Sequence, residues 1–169
     1  MDEASAAECW ENDRTTFQRV YDLIVGTTAF LSAREFGERA NCSETGAREA
    51  LEQLAEMGIA RKRDGRPATY RRNDAYFEWK RIDSLAREHE AEQLRSRLDD
   101  LAGADEQFQE QFGVPEPDAV STTDLSIEEH SAFEERWDDL REWRTVRRDI
   151  RILRRAVDQA EMHADGMQA

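Results

Sequence analysis

The sequence predicts a mainly α-helical protein, in which a small helical domain closed by a β-hairpin precedes two long helices. Three observations support this class. Apolar residues repeat at helical spacing through three short segments near the N-terminus. The turn signal Asp64-Gly65 then separates two short segments with strand character. Finally, no Gly or Pro occurs from Asp74 to Ala102, which favours a long uninterrupted helix.

Three short helices are predicted before the hairpin, and each starts at a Ser or Thr that can cap its N-terminus. They are predicted at residues 15–27, 32–40 and 44–57. Gly58 follows the third helix, where a left-handed residue commonly ends one. Residues 59–63 and 68–72 are predicted to pair as two strands around the turn. Two short helices joined by a tight turn and followed by a hairpin are therefore expected.

The chain divides by composition into six parts. They are an N-terminal segment (1–14), the helical domain with its hairpin (15–73), a long helix (74–102), a linker with two prolines (103–125), a C-terminal helix (126–163) and a tail (164–169). The apolar residues of the C-terminal helix recur at steps of three and four, a spacing typical of coiled coils. The two long helices are expected to form a coiled-coil-like hairpin within one chain or to pair with those of a second copy.

The C-terminal helix is predicted to form the interface of a homodimer. The residues assigned to that interface are Phe133, Trp137, Leu140, Trp143, Val146, Ile150, Leu153 and Val157. An aromatic ligand pocket and ordinary core packing are the alternatives for Trp137 and Trp143.

Positive charge is concentrated at the predicted hairpin. Residues 61–72, RKRDGRPATYRR, hold six basic residues and one acid, whereas the whole chain has a formal net charge of −14. An acidic protein repels nucleic acid at ordinary ionic strength, but at about 1 M salt the Debye length is only roughly 3 Å. Of the 24 basic residues, only Lys62 and Lys80 are lysines. This usage is similar to that of salt-accumulating archaea, and an acidic protein from a GC-rich genome is the alternative.

The order of two helices, a third helix and a basic hairpin resembles the winged helix-turn-helix of archaeal and bacterial transcription regulators. The matching stretches are Ser32 to Ala40, Ser43 to Gly58 and the wing RKRDGRPATYRR. The whole chain, including REWRTVRRDI, further resembles a haloarchaeal group of winged-helix proteins compared with TrmB-like and ArsR-like regulators. The resemblance implies binding to double-stranded DNA. It implies no sugar response, because no large sugar-binding domain follows the wing.

In that geometry the third helix enters the major groove and the wing contacts the backbone or the minor groove. The predicted DNA-binding residues are Ser43, Glu44, Thr45, Gly46, Arg48 and Glu49 in the helix, and Arg61, Lys62, Arg63, Arg66, Arg71 and Arg72 in the wing. Arg48 is a candidate for guanine, Gly46 for close backbone approach and Arg66 for the minor groove. Alternation along the strands sends some of the six wing residues to the opposite face. A partner-binding helix and a solvated hairpin are the alternatives.

A second basic run lies in the C-terminal helix, where Arg144, Arg147, Arg151, Arg154 and Arg155 share one face at spacings of three and four. Ion pairs with acids of the preceding helix, such as Glu88, Glu92 and Asp99, are expected. A second DNA contact is the alternative.

No enzymatic activity, cofactor or metal is predicted, because the sequence lacks nucleophile-elbow, phosphate-loop and HExxH motifs and its cysteines and histidines lie far apart. Nor does any apolar run reach membrane-spanning length, so a cytoplasmic protein is expected.

The favoured function is a homodimeric transcriptional regulator with an unknown effector. The alternatives are a protein-interaction adaptor that uses acidic helices, for which Glu44 and Glu49 are the best evidence, and a ligand-gated or redox-gated repressor.

Overall fold

A computed structural model of the chain describes residues 14–121 and 130–166, with only the backbone described at 130–133. The structure is mainly helical, with one small antiparallel sheet. Outside the described residues lie 1–13 of the predicted N-terminal segment, 122–129 at the end of the predicted linker and the start of the predicted C-terminal helix, the Phe133 side chain, and 167–169. Contacts divide the chain into two units, the first ending at Phe77 and the second starting at Glu78.

The first unit contains the three predicted short helices. They are α1 (Thr16–Gly26), α2 (Ala33–Arg39) and α3 (Glu44–Glu56). The predicted caps are present, because the side chains of Thr15, Ser32 and Ser43 each accept a hydrogen bond from a backbone N–H in the first turn of their helix. These local signals predicted each helix start to within a residue.

The sheet contains one strand that the sequence did not predict. Strand β1 (Leu31–Ser32) joins the predicted β2 (Ala60–Arg63) and β3 (Thr69–Arg72) in the antiparallel order β1-β3-β2. A two-residue strand contains no alternation for the sequence to reveal. The core beneath the sheet and helices is apolar, and its largest fully buried side chains are Tyr70, Phe36, Ile24, Leu51, Leu54 and Val20.

The turn between α2 and α3 depends on a close approach at Gly37. A Cβ atom at this position would lie 3.0 Å from the backbone carbonyl oxygen of Cys42 and 3.4 Å from Cα of Glu44. The Gly37 carbonyl oxygen also accepts a hydrogen bond of 2.9 Å from the Cys42 N–H. Gly37 therefore allows the two helices to meet closely, a role that the sequence analysis missed.

The prediction of one helix over residues 74–102 is wrong. The structure has two helices, α4 (Asp74–Glu88) and α5 (Ala91–Phe112), which are separated at His89 and Glu90. The break falls where the apolar spacing slips between Leu85 and Leu94, and a capping box of Glu90 with Gln93 starts the second helix.

The predicted linker is also shorter than expected, because α5 continues through residues 103–112 and ends at Gly113, whose φ is +67°. A 3-10 turn follows at Pro117–Ala119. Phe108 and Phe112 in the extended part of α5 stack on Trp143, with ring centroids 6.1 and 5.4 Å away. This packing explains why the helix continues into a segment that the sequence marks as polar.

The C-terminal helix α6 (His130–Gly166) packs along α5 within the second unit. Residues Gln111 and Arg95 of α5 contact Asp139 and Glu161 of α6 respectively, so the two helices run antiparallel. A hairpin of long helices within one chain is thus present. In the described residues, no helix has the length and apolar character that crossing a bilayer requires.

Candidate nucleic-acid interface

The register of β2 with β3 sorts the basic residues of the hairpin onto two faces. Arg61 is paired with Arg71, Lys62 with Tyr70 and Arg63 with Thr69. Side chains of directly paired residues point to the same face of a sheet, and the faces alternate along each strand. Tyr70 is 1% exposed and faces the core. Lys62 therefore lies on the inner face, whereas the arginines at 61, 63 and 71 lie on the outer face.

The two inner-face basic residues have partners within the first unit. Lys62 Nζ lies 2.7 Å from Glu52 Oε1 on α3, and the Tyr70 hydroxyl donates to that same oxygen at 2.6 Å. Arg72 Nε lies 3.0 Å from Asp74 Oδ1, and its Nη1 donates to the Val25 carbonyl at 2.7 Å. Both side chains thus connect the hairpin to its own domain, and their assignment to the DNA contact stays a prediction that requires these ion pairs to open.

The other four basic residues of the hairpin have no carboxylate partner among the described residues. Arg61 Nε donates to the side-chain oxygen of Asn73 at 3.0 Å. The guanidinium carbons of Arg63 and Arg71 lie 3.9 and 4.9 Å from the centroid of the Phe30 ring. Arg66 is exposed in the hairpin turn. The neutral side chains of Asn73 and Phe30 therefore position three of these arginines without compensating their positive charges. We call Arg61, Arg63, Arg66 and Arg71 the outer arginines.

The Glu52 network changes the protonation of its members. Hydrogen bonds from Lys62 and Tyr70 lower the pKa of Glu52, and the hydrogen bond to Glu52 raises the pKa of Lys62. Burial, followed by the hydrogen bond to Glu52, raises the pKa of Tyr70 to about 12. The ammonium, the carboxylate and the neutral phenol are therefore the favoured forms at neutral pH, and together they fix the hairpin against α3.

This network leads to a pH prediction. The pKa of Tyr70 is about 12 in the folded chain, against an ordinary value of 10.0. A group whose pKa is raised by folding contributes stability that is complete below the unfolded pKa and is lost as pH rises through the folded value. We expect the free energy of unfolding to fall between pH 10 and 12, and Tyr70→Phe to make this fall smaller. Urea titrations at several pH values measure both slopes, and equal slopes would contradict the assignment.

Helix α3 exposes most of the predicted reading residues. Thr45, Arg48 and Glu49 are exposed, and so is Glu44, which forms an ion pair with Arg48 one turn later in the same helix. Ser43 is exposed too, but its hydroxyl is the N-cap that accepts the Gly46 N–H at 3.0 Å. Arg48 can therefore bind guanine through both arms of its guanidinium group only after its exposed ion pair with Glu44 breaks.

Gly46 has a packing role that the sequence analysis did not predict. A Cβ atom at this position would lie 3.2 Å from Ser43 Oγ and 3.4 Å from Thr16 Cγ2 of α1. A side chain at this position would thus press against the N-cap of α3 and against α1. Gly46 allows close packing of α1 against the start of α3. Helical periodicity alone did not distinguish this position from an exposed one.

A groove of about 260 Å³ lies between α3 and the hairpin. Its charged lining consists of Arg34, Glu44, Arg48 and Glu52, so two basic and two acidic side chains balance each other. Pro67, Ala68 and Tyr70 form the hairpin side. The hairpin arginines without a carboxylate partner therefore lie on the outer sheet face and in the turn, and not inside the groove.

A comparison with models of protein families gives one result. The model of a family of unknown function, DUF7342, matches residues 14–161. The chain belongs to this family. The matched range includes both the basic hairpin and most of α6. A search of curated proteins finds no match.

Four of the five arginines in the second basic run of α6 pair with acids of the second unit, whereas Arg154 is exposed and has no carboxylate partner among the described residues. Arg155 Nη1 and Arg151 Nη2 lie 2.9 and 3.5 Å from Glu78, and Arg144 lies 3.3 Å from Asp118. Arg147 pairs with Asp105. Pairing with acids is confirmed, but the partners are not the expected Glu88, Glu92 and Asp99. An intrachain role accounts for most of this run.

The residues predicted to form a dimer interface are covered by their own chain. Trp143 is fully buried, and the others are at most 8% exposed, except for the half-buried Trp137 and for Phe133, whose side chain is outside the described residues. Leu140 and Trp143 pack with Phe108, Phe112 and Trp137, whereas Leu153 and Val157 pack with residues of α4 and α5. The apolar stripe of α6, formed by the six residues that are at most 8% exposed, is thus buried without a second copy, and the assignment of these six to a dimer interface is corrected.

Proposed function

We propose that residues 15–73 form a winged helix-turn-helix that binds double-stranded DNA and that the protein is a transcriptional regulator of the cytoplasm. The order of helices and strands in the first unit supports the winged fold, with α2 and α3 as the helix-turn-helix and the β2–β3 hairpin as the wing. The observation on which the proposal depends is the set of outer arginines, which no described carboxylate neutralises in a chain of net charge −14.

Phosphate contact is the chemistry that such side chains provide. A guanidinium presents several N–H donors in a planar fork that matches phosphate oxygens. These contacts position a protein on the duplex without reading sequence, and base reading requires a further element in a groove. In this proposal, the exposed Thr45, Arg48 and Glu49 of α3 read base edges after the wing binds the backbone.

Regulation by occupancy of a promoter is the simplest mechanism for this architecture. Winged-helix proteins commonly bind as dimers to paired half-sites, and we propose a homodimer here. Its contacts must use surfaces other than the apolar stripe of α6, because that stripe is already buried.

Duplex binding in a potassium chloride series tests the proposal. Replacing all four outer arginines with Gln is expected to weaken binding by about 100-fold or more at 0.1 M salt. It should also reduce the slope of log K against log salt by up to about 3.6 for each bound chain, at about 0.9 per phosphate contact. The control replaces four exposed arginines of the second unit whose surface ion pairs contribute little, namely Arg87, Arg95, Arg141 and Arg144.

The control has the same net charge as the test variant, so a difference between them reports the location of the charge. Fluorescence anisotropy of labelled genomic duplexes measures both quantities. Equal binding by the two variants would remove the outer arginines from the mechanism, and an absence of duplex binding by the wild-type protein would overturn the proposal.

An adaptor function is the second candidate, and Glu49 favours it. This acid is exposed on α3 and has no ion pair within the described part of the chain, whereas Glu44 is paired with Arg48. A carboxylate on the reading face repels phosphate unless it accepts from cytosine. Purification from cell extract with and without nuclease separates the two functions, because an adaptor retains its protein partner after DNA is digested.

A further inference from the structure

The outer sheet face holds an aromatic ring between two like charges. Leu31 is paired with the inward Tyr70, so Phe30, one residue earlier, lies on the outer side. The guanidinium carbons of Arg63 and Arg71 lie 3.9 and 4.9 Å from its ring centroid. Phe30 precedes β1, whereas Arg63 and Arg71 lie in the two strands of the hairpin, so the three residues meet only in the folded sheet.

An aromatic ring orders a guanidinium in a way that a carboxylate cannot. The ring attracts the cation through its quadrupole, yet it has no net charge and leaves the positive charge available. A guanidinium over a ring directs its flat face to the ring and keeps its N–H groups at the edge for other acceptors. Two arginines on adjacent strands would otherwise repel each other and sample many rotamers.

The two basic residues on the inner face of the hairpin, unlike those on the outer face, have carboxylate partners. Lys62 lies next to the Glu52 carboxylate, and Arg72 next to the Asp74 carboxylate, so the charges of both are compensated. Arg63 and Arg71 are held instead by Phe30, and neither has a carboxylate partner in the described residues. The outer face is therefore ordered but not neutralised, the state that a preorganised phosphate site requires.

We propose that Phe30 is a positioning residue that holds Arg63 and Arg71 ready to bind the phosphate backbone of DNA. This inference rests on the proposed DNA-binding function. Phe30 itself makes no contact with DNA in this scheme and acts only through the two arginines.

The test compares Phe30→Leu with Phe30→Trp for binding to a 20-base-pair duplex over a series of potassium chloride concentrations. Without the ring, Arg63 and Arg71 must be ordered when DNA binds, and this entropic cost for two side chains should weaken binding by about tenfold per chain in the Leu variant. The salt slope should not change, because the number of charges is the same. The Trp variant should bind as the wild type does, since a larger ring restores both contacts.

A double-mutant cycle excludes a general effect of the substitution on folding. In a background with Arg63→Gln and Arg71→Gln, Phe30→Leu should have no further effect on affinity. The same tenfold loss in that background, or wild-type affinity of the single Leu variant, would overturn the role of Phe30. Either of these results leaves the proposed function intact, whereas an absence of duplex binding by the wild-type protein defeats both proposals.

Discussion

Replacing Asp105 with Ala is expected to lower the free energy of unfolding by about 3 kcal/mol, because it removes the acceptor of the buried Trp143 indole N–H and the charged partner of Arg147, whose side chain is 37% exposed. Asp105 is 9% exposed. Its Oδ1 accepts from Trp143 Nε1 at 2.7 Å and from Arg147, and its Oδ2 accepts from Gln109 Nε2 at 2.7 Å. The substitution leaves the buried indole N–H and part of a guanidinium without an acceptor. Urea denaturation followed by circular dichroism measures the change.

Asp118→Ala is a matched control for this prediction. Asp118 also pairs with an arginine of α6, because Arg144 Nη2 lies 3.3 Å from its Oδ1, but its side chain is 85% exposed. An exposed pair of this kind contributes at most about 1 kcal/mol. Similar losses of unfolding free energy in the two variants would show that burial does not determine the contribution of Asp105 to stability.

Asp105 also shows which parts of the structure the sequence could not predict. It lies in the segment predicted to be a linker, and Trp143 follows it by 38 residues. Periodicity predicts that Trp143 is buried but does not identify its partner. For the same reason, the sequence did not show whether the apolar stripe of α6 is buried by its own chain or by a second copy. Only the folded hairpin reveals that Phe108, Phe112 and Asp105 cover this part of the stripe.

The basic hairpin was predictable to the extent that its signals are local. The Asp64-Gly65 turn and the caps at Thr15, Ser32 and Ser43 predicted the order of elements in the first unit. Alternation also predicted that the six basic residues divide between two faces, and this prediction is confirmed. The assignment of each residue to a face required the register and the buried Tyr70.

The partners of the basic residues could not be predicted at all. Glu52 precedes Lys62 by ten positions, and Phe30 precedes Arg63 by more than thirty. A charge run in a sequence therefore gives the number of charges but not the number that remain available. Six basic residues were assigned to the wing contact, and four have no described carboxylate partner.

Replacing Phe36 with Ala is expected to destabilise the first unit by about 3 to 5 kcal/mol, the usual cost of truncating a fully buried Phe. Phe36 is 0% exposed in α2 and belongs to the core that also contains Leu51 and Tyr70. Native domains are commonly stable by only about 5 to 15 kcal/mol. A measurable fraction of the variant should therefore be unfolded at a temperature where the wild-type unit is folded.

The functional consequence follows from the position of Phe36 beneath the helices and the sheet. Loss of this packing should weaken duplex binding in proportion to the unfolded fraction and leave the salt slope of the folded fraction unchanged, because the outer arginines are intact. Met57→Ala is the matched control, since Met57 is 61% exposed and its truncation removes little buried area. Thermal melts and duplex titrations at two temperatures measure both effects. Full binding by a Phe36→Ala variant shown to be largely unfolded would indicate that DNA contact does not require the folded first unit.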